Sequence, residues 1–220
     1  MILTGKKINF LGDSITEGHG TSRPEACFVS LLKGQLQLAE SRNYGVGGTR
    51  YARQTKPSSE PVWDQDFCSR VDRMDPDADI VVVFGGTNDY GHGDAPVGKV
   101  HDDTVYTFCG ACRYVFSHLK KRYPDAVVVV LTPLPRLNEE NPGGDAAYKP
   151  KPTAPLIQYV TALKDIAEEF HLPVLDLHET GDFHPEDPSE REKFMPDGLH
   201  PNDAGHLILA RTIGTFLQSL

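Results

Sequence analysis

Runs of unbroken apolar residues alternate with segments of helical spacing along this chain. Residues 8–11, between Lys7 and Gly12, read as a short buried strand, and Gly12 permits a sharp turn at its end. Phe28, Leu31, Leu32, Leu36 and Leu38 recur at helical spacing over 27–38. A weaker strand over 41–44 runs into the glycine-rich turn Gly45-Val46-Gly47-Gly48-Thr49. Trp63, Phe67 and Val71 share a face over 62–74, which predicts a helix ended by Asp75-Pro76-Asp77. Residues 80–84 (Ile-Val-Val-Val-Phe) form the clearest strand, and such unalternating runs belong to parallel sheets covered on both faces. Further along, the pattern predicts a helix over 104–122 capped by Asp102 or Asp103, and a buried strand over 126–131. An amphipathic helix over 156–170, a short strand over 173–177 and a final helix over 204–217 capped by Asn202 follow. Residues 55–60, 90–101, 136–155 and 180–195 are polar or dense in Gly and Pro and read as loops.

This alternation of strand and helix implies a doubly wound α/β/α sandwich around a parallel sheet of about five strands. The 220 residues suit one domain over 1–220 with one core. In an open parallel sheet, ligands bind beyond the carboxyl ends of the strands. Ser14, the turn 45–49, Asn88 and the long loops 90–101 and 136–155 all fall on that rim.

Composition narrows the partners. The formal net charge is −9, which argues against nucleic-acid backbones and anionic membrane surfaces as main partners and says little about a neutral small-molecule substrate. No apolar stretch approaches the roughly 18 residues of a membrane span. The first residues, Met1 to Lys7, lack the pattern of a secretory leader, so a cytoplasmic protein is expected. Cys109-Gly110-Ala111-Cys112 has metal or redox spacing but lies in a helical pattern with no second ligand pair. Cys27, Cys68, Cys109 and Cys112 are therefore expected to be reduced thiols, with no metal and no cofactor.

The rim carries chemistry. Ser14 stands at a strand end where a helix start offers backbone N–H groups, an arrangement that suits a nucleophile and a developing oxyanion. Ser14-Ile15-Thr16-Glu17 also fits the capping box S-x-x-E, in which Ser14 would only cap a helix, and both readings stand at this point. A serine hydroxyl needs a base within reach, and His200 can take and return its proton. Asp197, three residues earlier, can hold the far nitrogen of that imidazole. The N–H groups of Ser14 and Gly48 and the side-chain amide of Asn88 are suitable oxyanion donors. Each has a bland alternative: Gly48 closing a turn, Asn88 forming one, His200 as a surface histidine beside a helix cap.

Gly12-Asp13-Ser14-Ile15-Thr16, Asn43-x-Gly45-x-x-Gly48, Gly86-Thr87-Asn88-Asp89 and Asp197-x-x-His200-Pro201 together resemble the conserved blocks of the SGNH hydrolases, or GDSL esterase/lipase family. The resemblance covers nearly the whole chain in the right order. It implies a flavodoxin-like fold and ester hydrolysis, with Ser14, His200 and Asp197 as the catalytic triad. It also implies Ser14, Gly48 and Asn88 as the oxyanion hole, with Gly47 leaving a one-residue ambiguity. The polar loops, with His92, His101, Arg136 and Asn138, fit a polar alcohol better than a long acyl chain, so a short-chain esterase, most of all a carbohydrate O-acetylesterase, is expected. The alternatives are a lysophospholipase or thioesterase of the same family, a non-catalytic binding module, and a flavodoxin-like nucleotide binder.

Overall fold

A computed structural model describes residues 1–140 and 154–220. Its centre is a five-stranded parallel sheet of β1 (Lys7–Gly12), β2 (Glu40–Gly45), β3 (Ile80–Phe84), β4 (Val127–Leu131) and β5 (Val174–Leu175). The strand order is β2-β1-β3-β4-β5, as the doubly wound reading requires. Successive residues of the central strands enter opposite cores. Ile80, Val82 and Phe84 of β3 pack on one side with Phe10 and Leu131, while Val81 and Val83 pack on the other with Leu11 and Val130. Burial on both faces explains why these strands carry no polar alternation.

The helices are α1 (Ser14–Glu17), α2 (Phe28–Gln35), α3 (Phe67–Arg70), α4 (Thr87–Gly91), α5 (Phe108–Arg122), α6 (Leu156–Glu169), α7 (Pro188–Phe194) and α8 (Asp203–Ser219). Helices α2 and α8 cover one face through Phe28, Leu32, Leu209, Ile213 and Leu217. Helices α3, α5 and α6 cover the other through Phe67, Phe116, Leu119, Leu163 and Ile166. Cys27, Cys68, Cys109 and Cys112 are buried free thiols, and burial pushes all four up. Among the described residues no helix is long and apolar enough to cross a membrane.

Four local expectations are corrected. The helix over 62–74 is a 3-10 turn at Pro61–Asp64, then α3, then a second 3-10 turn at Val71–Arg73. Asp66 breaks it, because its side chain accepts from the Ser69 amide and starts a new helix. Helix α5 begins at Phe108, capped by Thr107; Asp102 instead accepts from Lys99 N at 3.0 Å and closes the preceding turn. Residues 87–91, partly read as loop, form α4, so the loop begins at His92. The polar stretch 180–195 contains α7, capped by Asp187 with Pro188 at its first position. Of the expected loop 136–155, residues 141–153 lie outside the described residues.

Candidate active site

The register of the sheet places three turns side by side. Gly12 of β1 is level with Gly45 of β2 on one side and Phe84 of β3 on the other. Ser14, Gly48 and Asn88 follow these strand ends, where the chain reverses its winding direction, the position at which doubly wound folds bind ligands.

Ser14 is the first residue of α1 and is nearly buried. The capping-box reading fails, because Asp13 is the cap and accepts from Ile15 N at 3.0 Å. The turn between β1 and α1 is tight enough that a Cβ on Gly12 would lie 2.0 Å from Thr16 Oγ1 and 2.8 Å from the Phe84 carbonyl. Asn43 fastens β2 to this turn. Its amide donates to the Thr16 carbonyl at 2.6 Å, and its oxygen accepts from Gly45 N at 2.8 Å.

The Ser14 Oγ lies 3.0 Å from His200 Nε2, and His200 Nδ1 lies 2.6 Å from Asp197 Oδ2. Asp197 Oδ1 also accepts the backbone N–H groups of Leu199 and His200, at 2.9 and 2.7 Å. One loop thus holds the carboxylate and the imidazole in register. Partial burial pushes the Asp197 carboxyl up, but the His200 amide, the His200 ring and the Leu199 amide pull it below the usual carboxylate range. Burial pushes the His200 imidazole below its ordinary value, against the opposing pull of Asp197. His19 stands beside that ring, with centroids 4.3 Å apart.

Asn88, on α4, donates from its side-chain amide to the Thr49 carbonyl at 3.0 Å. That bond uses one of its two N–H groups and orients the other. Next to it Asp89 accepts from Tyr51 N and Ala52 N, both at 2.9 Å, which fixes the exit of the glycine-rich turn. Gly48 has φ +73°, and a Cβ there would fall 2.0 Å from Trp63 Cδ1. Ser14, Gly47, Gly48, Asn88 and His200 line one cleft of about 490 Å³ with Glu17, His19, Ser59, Trp63, His92 and Leu199.

Behind the cleft, burial pushes the Asp13 carboxyl up to about 7, helped by the charge of Asp89 and opposed by the Ile15 amide and Arg70. Arg70 is a brace that the sequence pattern does not announce. Its guanidinium donates to the carbonyls of Gly12, Tyr44 and Gln65 and to Thr49 Oγ1, at 3.0, 2.7, 2.8 and 2.8 Å. It ties the ends of β1 and β2 to the glycine-rich turn. Among the four polar loop residues singled out by sequence, only His92 lines the cleft. Arg136 is buried and donates to the carbonyl and hydroxyl of Thr87 at 3.2 and 3.0 Å. The Asn138 carbonyl accepts from Tyr90 OH, and exposed His101 faces Glu169 at 3.5 Å.

His19, Asp197 and His200 each offer a ligand atom within 4.8 Å of the others, a set that could hold a metal ion. Both nitrogens of His200 are engaged, one with Ser14 and one with Asp197, which is the arrangement of a proton relay.

The model of the GDSL-like lipase/acylhydrolase family matches residues 10–208. This chain belongs to that family. A protein from Lactobacillus plantarum is 26% identical over 98% of each chain, with a TM-score of 0.83. A Chitinophaga pinensis protein described as a possible lipase is 22% identical over 97% of this chain and 98% of its own, with a TM-score of 0.69. A two-domain esterase active on acetylated mannans is 23% identical over 99% of this chain and 50% of its own, with a TM-score of 0.65. A search of curated proteins finds no match. Membership of the family and the parallel five-stranded sheet together support a hydrolase.

Proposed function

We propose that this GDSL-family chain is a serine esterase that removes short acyl groups, above all O-acetyl groups, from a carbohydrate or another polar alcohol. The observation that carries the reading is the unbroken hydrogen-bond chain from Ser14 through His200 to Asp197, its first two members lining a cleft. Neutral His200 accepts the Ser14 proton at Nε2 as Oγ attacks the ester carbonyl. Asp197 keeps the Nδ1–H tautomer and stabilises the imidazolium. The N–H groups of Ser14 and Gly48 and the free amide hydrogen of Asn88 receive the negative charge on the carbonyl oxygen. His200 then returns its proton to the leaving alkoxide, giving the alcohol and an acyl-Ser14. Water, deprotonated by the same imidazole, releases the acid and restores the serine.

The alcohol side of the cleft favours a polar group. His19 is exposed beside His200 on that side, and Glu17 and Ser59 are exposed elsewhere along the lining; each can bond to a hydroxyl. The esterase that acts on acetylated mannans has the same fold, which fits this choice. The test is a panel of p-nitrophenyl esters of rising chain length beside acetylated sugars. Highest kcat/KM on acetyl donors supports the proposal. A maximum at long chains moves the assignment to a lipolytic enzyme, and no hydrolysis of any ester leaves a binding module.

A further inference from the structure

A buried arginine holds one wall of the cleft. Arg50 is fully buried, yet its side chain reaches the cleft-lining segments from behind. Its Nη1 lies 2.8 Å from His92 Nδ1. Its Nη2 donates to Ser58 Oγ, the Trp63 carbonyl and Asp64 Oδ1, at 2.7, 3.2 and 3.0 Å. A guanidinium can only donate, so His92 accepts at Nδ1 and the imidazole is neutral in its Nε2–H form. The Trp63 and His92 rings pack on each other with centroids 4.6 Å apart. The Trp63 ring edge also meets Gly48 so closely that no side chain fits between them. Burying a charge is costly, and here it fastens a half-exposed 3-10 turn that fills no core. The result is a rigid aromatic wall beside Gly48.

Stereochemistry says which part of the substrate meets it. The carbonyl oxygen must point at the Gly48 and Asn88 donors. The leaving oxygen must lie at His200 Nε2, on the side of the cleft formed by His19, Leu199 and His200. The acyl substituent is left facing Trp63 and His92. We propose that Trp63, fixed by Arg50, is the acyl-length gate of this site and disfavours long acyl chains. This rests on the esterase reading above. Trp63 is the specificity-determining residue, and Arg50 is a positioning residue that acts through it.

The test uses the full chain and its Trp63→Ala, Trp63→Leu and Arg50→Met variants on p-nitrophenyl acetate, butyrate and octanoate. The parent is expected to favour acetate over octanoate. In Trp63→Ala the acetate-to-octanoate ratio of kcat/KM should fall by about tenfold or more, since pocket contacts with a few methylenes discriminate on that scale. Loss on acetate should be several-fold and gain should appear on octanoate. Arg50→Met should move the ratio the same way. A merely structural role for Trp63 would scale all three esters together. An unchanged ratio in a folded Trp63→Ala protein overturns the gate, as does a parent that prefers octanoate. If Trp63→Ala does not fold by circular dichroism, Trp63→Leu decides on the same ratio. A parent inactive on all three esters overturns the esterase reading itself, a result distinct from failure of the gate.

Discussion

Ser14 begins α1 without capping it, because Asp13 takes that role. Replacing Ser14 with Ala should therefore lower kcat by roughly 10³ or more while leaving the melting temperature unchanged. Steady-state kinetics beside a melting curve checks this, and activity within tenfold of the parent would contradict it. The pH profile should be set by His200. Only the neutral imidazole can accept the Ser14 proton, and burial lowers its pKa. Activity should hold as pH falls past the ordinary histidine value of about 6.5 and be lost on a single ionisation below it. A sequence reading alone places that limb at about 6 to 7; the partial burial of His200 moves it down. Asp197→Asn should cost about 10³–10⁴ in kcat, since the amide permits the wrong tautomer. These residues were legible because each stands at a strand end or in a short block with a chemical reason for its type. Arg70 and Arg50 were not legible: a buried arginine looks in sequence like any surface cation, and only the fold reveals which carbonyls it meets.

At the scale of elements, the central strands were legible because burial on both faces leaves an uninterrupted apolar run. Helix α7 was not, since none of its residues is buried and no apolar period marks it. Its Asp187-Pro188 start was the available signal. The segment 62–74 misled for the opposite reason. Phe67 and Val71 do enter the core, but Trp63 turns into the cleft, so an apolar spacing joined two destinations. The elements around the site are joined by Arg70. Arg70→Met strips partners from the carbonyls of Gly12, Tyr44 and Gln65. Only the bonds to Gly12 and Thr49 are fully buried, and the Gly12 carbonyl keeps the Val46 amide, so a loss of about 1–3 kcal/mol is expected, with kcat falling as the turn that carries Ser14 loosens. Denaturant titration with parallel kinetics tests it, and a stability change under about 0.5 kcal/mol would remove Arg70 from this role.

At the scale of the whole molecule, a buried histidine joins α8 to the start of α2. His206 Nδ1 accepts from Phe28 N at 3.1 Å, and its ring stacks on Phe28 at 5.8 Å. Burial pushes its pKa down to about 4. The unfolded chain then binds a proton, near its free value of about 6.5, that the folded chain refuses, so stability is fully present above that pH and is lost as pH falls towards 4. The shift corresponds to on the order of 3 kcal/mol. His206→Asn keeps an acceptor near Phe28 N and removes the titration, so its stability should change less than the parent's between pH 6.5 and 4. Equal slopes in the two proteins would show that another group governs acid unfolding. Ester hydrolysis is proposed here to rest on one activated serine at the strand rim. Treating the protein with an organophosphonate and mapping the adduct by peptide mass spectrometry tests it most directly. The adduct should sit on Ser14, vanish in Ser14→Ala and form far more slowly in His200→Ala. Labelling of any other serine, or unchanged labelling in Ser14→Ala, would show that Ser14 is not the nucleophile.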